Sequence, residues 1–208
     1  MTQDGYARCV NWESYFAELE GQFAEDAAAE RASVDLEAER VRQARLDLAT
    51  RLRAMAHDGA FVTLATVGDH QFNGTMRAAG TDWCGIDVGN GGIRCVRTDA
   101  IKTIVVPDQV LRRSLLTVPS DALAQRATFG YVLRGWARRR TPVLVQFTDS
   151  SVATGTIDRA ATDHCDFAFH DAHTPRRDGD VSRFAVVPFH TIAAVSPLSD
   201  DGRVIGSS

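Results

Sequence analysis

From about Asn11 to Ala56 the apolar residues recur at intervals of three, four or seven: Trp12, Phe16, Leu19, Phe23, Ala27, Val34, Val41, Leu48 and Met55. That spacing draws a single stripe on an α-helix. No proline interrupts it, and Ala, Glu, Arg and Leu dominate, so one long helix is predicted over 11–57. The seven-residue steps from Ala27 to Met55 suit a coiled-coil seam, although Glu30, Glu37 and Arg51 occupy the alternate core positions. Beyond Ala60 the period changes to two, and short strands are predicted at 61–66, 71–79, 83–88, 93–97 and 101–106. Gly68-Asp69 and Gly89-Asn90-Gly91-Gly92 supply turns, and Gly74 inside the second strand permits a sharp bend. Residues 108–119 read as a linker that packs through Val110, Leu111, Leu115 and Leu116. Ser120 is a candidate cap for a second helix reaching Arg139, with Phe129, Val132, Leu133, Trp136 and Ala137 as its apolar face. Thr141-Pro142 ends it, and strands follow at 143–148, 152–160, 164–169, 184–188 and 192–196. Residues 1–10 carry no pattern and are expected to be disordered, and 198–208 to form a loose tail.

The second half repeats the first. Aligning Leu52 with Leu133 and continuing without gaps to Val88 and Phe169 gives ten identities in thirty-seven positions, where ordinary composition would give roughly two or three. They are Leu52/Leu133, Arg53/Arg134, Ala56/Ala137, Val62/Val143, Gly74/Gly155, Thr75/Thr156, Ala79/Ala160, Thr81/Thr162, Asp82/Asp163 and Cys84/Cys165. The copies then differ by an insertion, with a tight turn at 89–92 in the first and a charged loop at 170–183 in the second. They rejoin where Ile93–Ile104 aligns with Phe184–Val195. Five short bent strands per copy fit a small, strongly curved barrel. The expectation is therefore an α+β chain, a long N-terminal helix followed by two tandem helix-plus-five-strand antiparallel barrels. The first barrel is placed over 58–107 and the second, with its helix, over 120–197.

A short helix, a Val62-Thr63-Leu64 start, a glycine in the second strand and a closing strand at Thr98–Ile104 resemble the Sm-like barrels of the Hfq and LSm group. The second copy closes on Phe189-His190-Thr191-Ile192-Ala193-Ala194-Val195, similar to the last-strand region of Hfq. The resemblance implies a duplicated Sm-like fold and, in that family, RNA binding. The family's nucleotide-contacting Asp and Met-Asn positions are held here by Gly80, Trp83 and Cys84. Its Arg-Gly pair is replaced by Arg94-Cys95 and Ala185-Val186.

Charge divides the long helix. Nine acidic residues between Glu13 and Glu39 face Arg31 alone, after which Arg40, Arg42, Arg45, Arg51 and Arg53 face only Asp47. This polarity suits the helix dipole and would also favour antiparallel pairing of two such helices. The formal net charge of −4 provides no global basic field, so nucleic-acid binding would need a local patch. Arg134, Arg138, Arg139 and Arg140 form the densest one, with Trp136 between them on the apolar face. His164-Cys165-Asp166 with His170, Asp171 and His173 holds metal-ligand residue types, but strand alternation turns Cys165 away from His164 and Asp166. A polar hairpin without metal is expected there. The four cysteines have no Cys-x-x-Cys spacing, the start of the sequence lacks a signal-peptide pattern, and no segment approaches about 20 apolar residues. A reduced, cytoplasmic protein without a membrane span is the expectation.

No phosphate-binding glycine loop, nucleophile elbow or His-Glu-x-x-His motif occurs. The expected function is a non-enzymatic adaptor or assembly module without cofactors. Trp12, Tyr15, Phe16, Leu19 and Phe23 would dock an unidentified protein partner, or the helix would self-associate. The alternative is an RNA-binding regulator using Arg134, Arg138, Arg139 and Arg140.

Overall fold

The computed structural model describes residues 12–89, 92–116, 126–170 and 183–198, with side chains from Phe16 onward. The chain divides into two units, residues 1–46 and 47–208. The first unit contains helix α1, Trp12–Ala44, built from the Ala- and Glu-rich stretch predicted to be helical. The expected single helix to Ala56 does not form. It stops at Ala44, and α2, Leu48–His57, begins anew. Asp47 is the cause: its backbone is extended and its carboxylate accepts the Thr50 amide at 2.6 Å, which caps a new helix start instead of continuing the old one.

Among the described residues the second unit is built on ten strands: β1 Phe61–Thr66, β2 Gln71–Ala79, β3 Trp83–Asp87, β4 Ile93–Arg97, β5 Ile101–Val105, β6 Pro142–Phe147, β7 Val152–Ala160, β8 His164–Phe169, β9 Arg183–Pro188 and β10 Ile192–Pro197. They fall where alternation placed them, but their assembly differs from expectation. The two separate five-stranded barrels are replaced by one continuous antiparallel sheet, not closed, in the order β5-β1-β2-β3-β4-β10-β6-β7-β8-β9. The physical reason lies at strand edges. An edge strand presents unpaired backbone groups, and those of β4 are met by β10 from the other half, with Val96 opposite Ala194 and Cys95 opposite Val195.

Within that sheet the repeat survives down to single hydrogen bonds. The Thr98 amide donates to the Asp82 carbonyl at 2.9 Å, and the equivalent Phe189 amide to the Asp163 carbonyl at 2.7 Å. Gly80 N–H reaches the Trp83 carbonyl as Ala161 N–H reaches that of His164, and Val67 N–H reaches Ala100 as Thr148 reaches Thr191. Pairing shifts register at Met76/Ala78 on β2 and at the equivalent Ile157/Arg159 on β7. Next to each bulge sits a glycine with the same task. A Cβ on Gly74 would overlap the Asp87 carbonyl oxygen, and one on Gly155 would overlap that of Ala168.

Each half has its own core. Leu52, Met55, Val62, Leu64, Met76, Cys84 and Ile86 fill the first, and their repeat partners Leu133, Trp136, Val143, Val145, Ile157, Cys165 and Phe167 fill the second. Each core also draws on the other half: Ala194 enters the first, and Cys95 enters the second, against which the half-buried Trp83 packs as well. In the expected linker, Asp108–Arg113 form helix α3, tied to α2 by Arg51, whose guanidinium donates to Ser114 Oγ at 2.9 Å. The second helix, α4, spans Phe129–Arg139 and is capped by Thr128, which accepts the Tyr131 amide. The expected cap at Ser120 lies outside the described residues, as do 1–10. The tail does not start at Leu198, which is buried and donates its amide to the Pro142 carbonyl at 2.8 Å.

Because the two glycines meet the same obstacle, Gly74→Ala and Gly155→Ala should each cost about 1–3 kcal/mol, and by similar amounts, in urea denaturation. A neutral result at either site would show slack at that strand crossing.

Candidate functional site

The sequence-predicted basic residues lie at the end of α4. Phe129, Leu133, Trp136 and Ala137 turn into the core, which leaves Arg134, Arg138, Arg139 and Arg140 exposed. Trp136 is therefore a core residue and cannot stack on a ligand. Arg134, Arg138 and Arg140 share a groove of about 530 Å³ with Asp158 and Arg159 of the β7 bulge. Arg140, Asp158 and Arg159 also line a neighbouring groove of about 460 Å³ that runs to Asp166, Phe184 and Val186. Arg139 lines neither groove. Arg159 was missed in the sequence because it is an isolated arginine on a strand; its signal is the repeat, since it falls at the bulge opposite the helix end.

Not every arginine is equally available. Arg134 donates to the Ala161 carbonyl at 3.1 Å, and its repeat partner Arg53 donates to the Gly80 carbonyl at 3.3 Å. That contact is common to both halves and serves the fold. Arg140 is different. It pairs with Asp158 at 2.7 Å, and its backbone is left-handed, φ 53 and ψ 34. Its amide bonds to the Ala137 carbonyl and that of Thr141 to Trp136, which closes the helix in a Schellman turn. In the first half the same turn is made by Gly59 and Ala60 on Ala56 and Met55, with glycine at the left-handed position, φ 60. An L-residue there costs about 1–2 kcal/mol, so the second half carries strain that the first avoids.

The remaining candidates separate. His170 is buried and shares a hydrogen bond of 2.7 Å with Thr156 Oγ1, whereas His164 is partly exposed and donates to Asp163 at 2.7 Å, holding that carboxyl below its ordinary range. Cys165 points into the core, and Asp171 and His173 lie outside the described residues. Among the described residues no group of ligating side chains could hold a metal ion. Burial pushes the thiols of Cys84 and Cys165 up to about 12, leaving them poor nucleophiles.

On α1, Phe16 and Phe23 are 58% and 70% exposed and Leu19 is half-buried. Val34, Leu36 and Val41 are exposed as well, while the side chains of Trp12 and Tyr15 lie outside the described residues. No described helix is long and apolar enough to cross a membrane.

No protein-family model matches the chain, and neither a curated protein nor a solved structure matches it significantly. The resemblance to Sm-like proteins thus stands on the sequence pattern alone.

Arg140→Gly removes a half-exposed ion pair worth about 0–1 kcal/mol and relieves the left-handed strain. Its thermal midpoint should stay level or rise. A clear fall would mean that the Asp158 contact, and not the groove, is why arginine stands there.

Proposed function

We propose that this protein is a non-enzymatic assembly module that captures a protein partner along α1. The carrying observation is the exposed apolar stripe of Phe16, Phe23, Val34 and Val41 on a helix of 33 residues. An isolated helix gains its stability mostly by burying such a face. The acidic run from Glu18 to Glu39 flanks the stripe, so the complementary partner is an amphipathic segment with a basic rim. Charges on the rim set partner choice, and the aromatic anchors supply the affinity.

Phe16→Ser/Phe23→Ser should lose the partner in pull-downs from lysate at moderate salt, and the wild-type capture should weaken as salt rises. The unfolding midpoint of the 47–208 unit should not move. Capture that persists in the double variant refutes docking on this stripe.

A second reading has its own support. Arg138, Arg140 and Arg159 surround one groove, and Arg140 holds a backbone conformation that its counterpart gives to glycine. A strained residue at a concave basic site suggests a side chain retained for ligand contact, here the phosphates of single-stranded RNA. Binding that falls steeply between low and moderate salt and drops tenfold or more in Arg138→Glu/Arg159→Glu would support this reading. Absence of binding at low salt removes it.

A further inference from the structure

The complement that the α1 stripe requires is carried by the same sequence. From Trp12 to Glu30, α1 has six acidic residues and no base. Glu20 lies one helical turn from both Phe16 and Phe23, and Asp26 one turn beyond Phe23, all of them exposed. This face sets two aromatic anchors among carboxylates. The groove beside α4 has the opposite character. Its apolar lining is Ala137, Ala160 and Ala161. Around them stand Arg134, Arg138, Arg140 and Arg159 with a single carboxylate, Asp158, which pairs with Arg140 at 2.7 Å. Arg138 and Arg159 are exposed and make no ion pair or hydrogen bond among the described residues.

The internal repeat shows what kind of element such a surface takes. In the first half a helix, α3, lies against α2, where Arg51 donates to Ser114 Oγ and to the Leu111 carbonyl at 3.3 Å, and Ala54 is 2% exposed. The repeat sets Gly135 of α4 at the place of Ala54. There the surface is open. Outside the helix backbone, a Cβ on Gly135 would have Arg139 Nη2, at 3.6 Å, as its one neighbour within 4 Å among the described residues. The inner side of α4 packs mainly on β7, and its outer side shows an exposed Tyr131.

We propose that the partner of α1 is a second copy of this chain, and that α1 of one copy lies along α4 of the other. Phe16 and Phe23 then rest against the alanines, and Glu20 and Asp26 meet Arg138 and Arg159. This rests on α1 being a docking helix, as proposed above, and names what it docks on. The lengths agree, since Phe16 and Phe23 are about 10 Å apart along the axis and α4 is about 16 Å long. Arginine suits both neighbours, because a guanidinium forks onto a carboxylate and stacks on an aromatic ring. Each copy carries both surfaces, so a reciprocal exchange of helices closes on two chains.

Sedimentation of the nuclease-treated full chain at low salt, from low to high micromolar concentration, tests the contact. Wild type should exceed one chain in mass and return toward single chains as salt rises. Phe16→Ser/Phe23→Ser and Arg138→Glu/Arg159→Glu should each sediment as single chains, with the cooperative unfolding of 47–208 retained. Their equimolar mixture should recover a two-chain species, because one intact helix and one intact groove remain. A wild type that is single-chain after nuclease treatment overturns the proposal and leaves capture of a different protein by α1 standing. Association that survives in the arginine variant overturns it in favour of pairing between two α1 helices, and a mixture that fails to recombine also overturns it. Lysate capture that persists in the phenylalanine variant removes the premise instead.

Discussion

The backbone pairing of Cys95 and Val96 with Val195 and Ala194 is the contact on which the second unit depends. It covers the edge of β4 and makes one sheet of two repeated halves. It also carries Cys95 into the second core and Ala194 into the first, so neither core is complete within its own copy. Polar contacts reinforce the same seam. Asp82 accepts the Phe129 amide at 2.6 Å, Trp83 donates its indole N–H to the Ala127 carbonyl at 2.9 Å, and His70 donates Nε2–H to the Phe147 carbonyl at 3.0 Å. Once that seam is set, α2 and α4 fall on equivalent strands, and the basic groove forms beside α4.

Much of this was legible in the residues. Alternation placed all ten strands to within a residue or so, and the repeat pairs Leu52/Leu133, Val62/Val143 and Cys84/Cys165 are buried in matching places. Which edge pairs with which was not legible. The alternation of β4 and β10 is satisfied equally by closing each half on itself and by joining the halves, because the pattern records which face is buried and not which neighbour supplies the hydrogen bonds. The break after Ala44 was hidden for a similar reason. A single aspartate in an apolar-periodic run looks like a solvated position until its backbone turns extended and its carboxylate takes an amide. On the basic patch, residue type was readable, but left-handed Arg140 and the arrival of Arg159 from β7 needed the turn and the bulge.

The halves share a backbone and differ in the chemistry hung on it. His57, Gly59, Arg77 and Ala78 stand in the first half where Arg138, Arg140, Asp158 and Arg159 stand in the second. The framework contacts are kept, as Arg53 and Arg134 on equivalent carbonyls show. What changes is concentrated at one helix end and one bulge. A duplicated scaffold permits this, since one copy holds the common geometry while the other tolerates a strained residue and a crowded set of guanidinium groups.

That β10, the last described strand along the chain, lies in the middle of the sheet has a consequence for biogenesis. During translation β4 leaves the ribosome about a hundred residues ahead of the strand that covers it. The N-terminal copy must therefore wait with an open edge and an unfinished interior, at a synthesis rate of about 5–20 residues per second. Long-range pairing of this kind is slow to form. For those seconds on a crowded polysome, β10 of a neighbouring nascent chain is as good a fit as its own, so domain exchange between siblings is the hazard this topology carries.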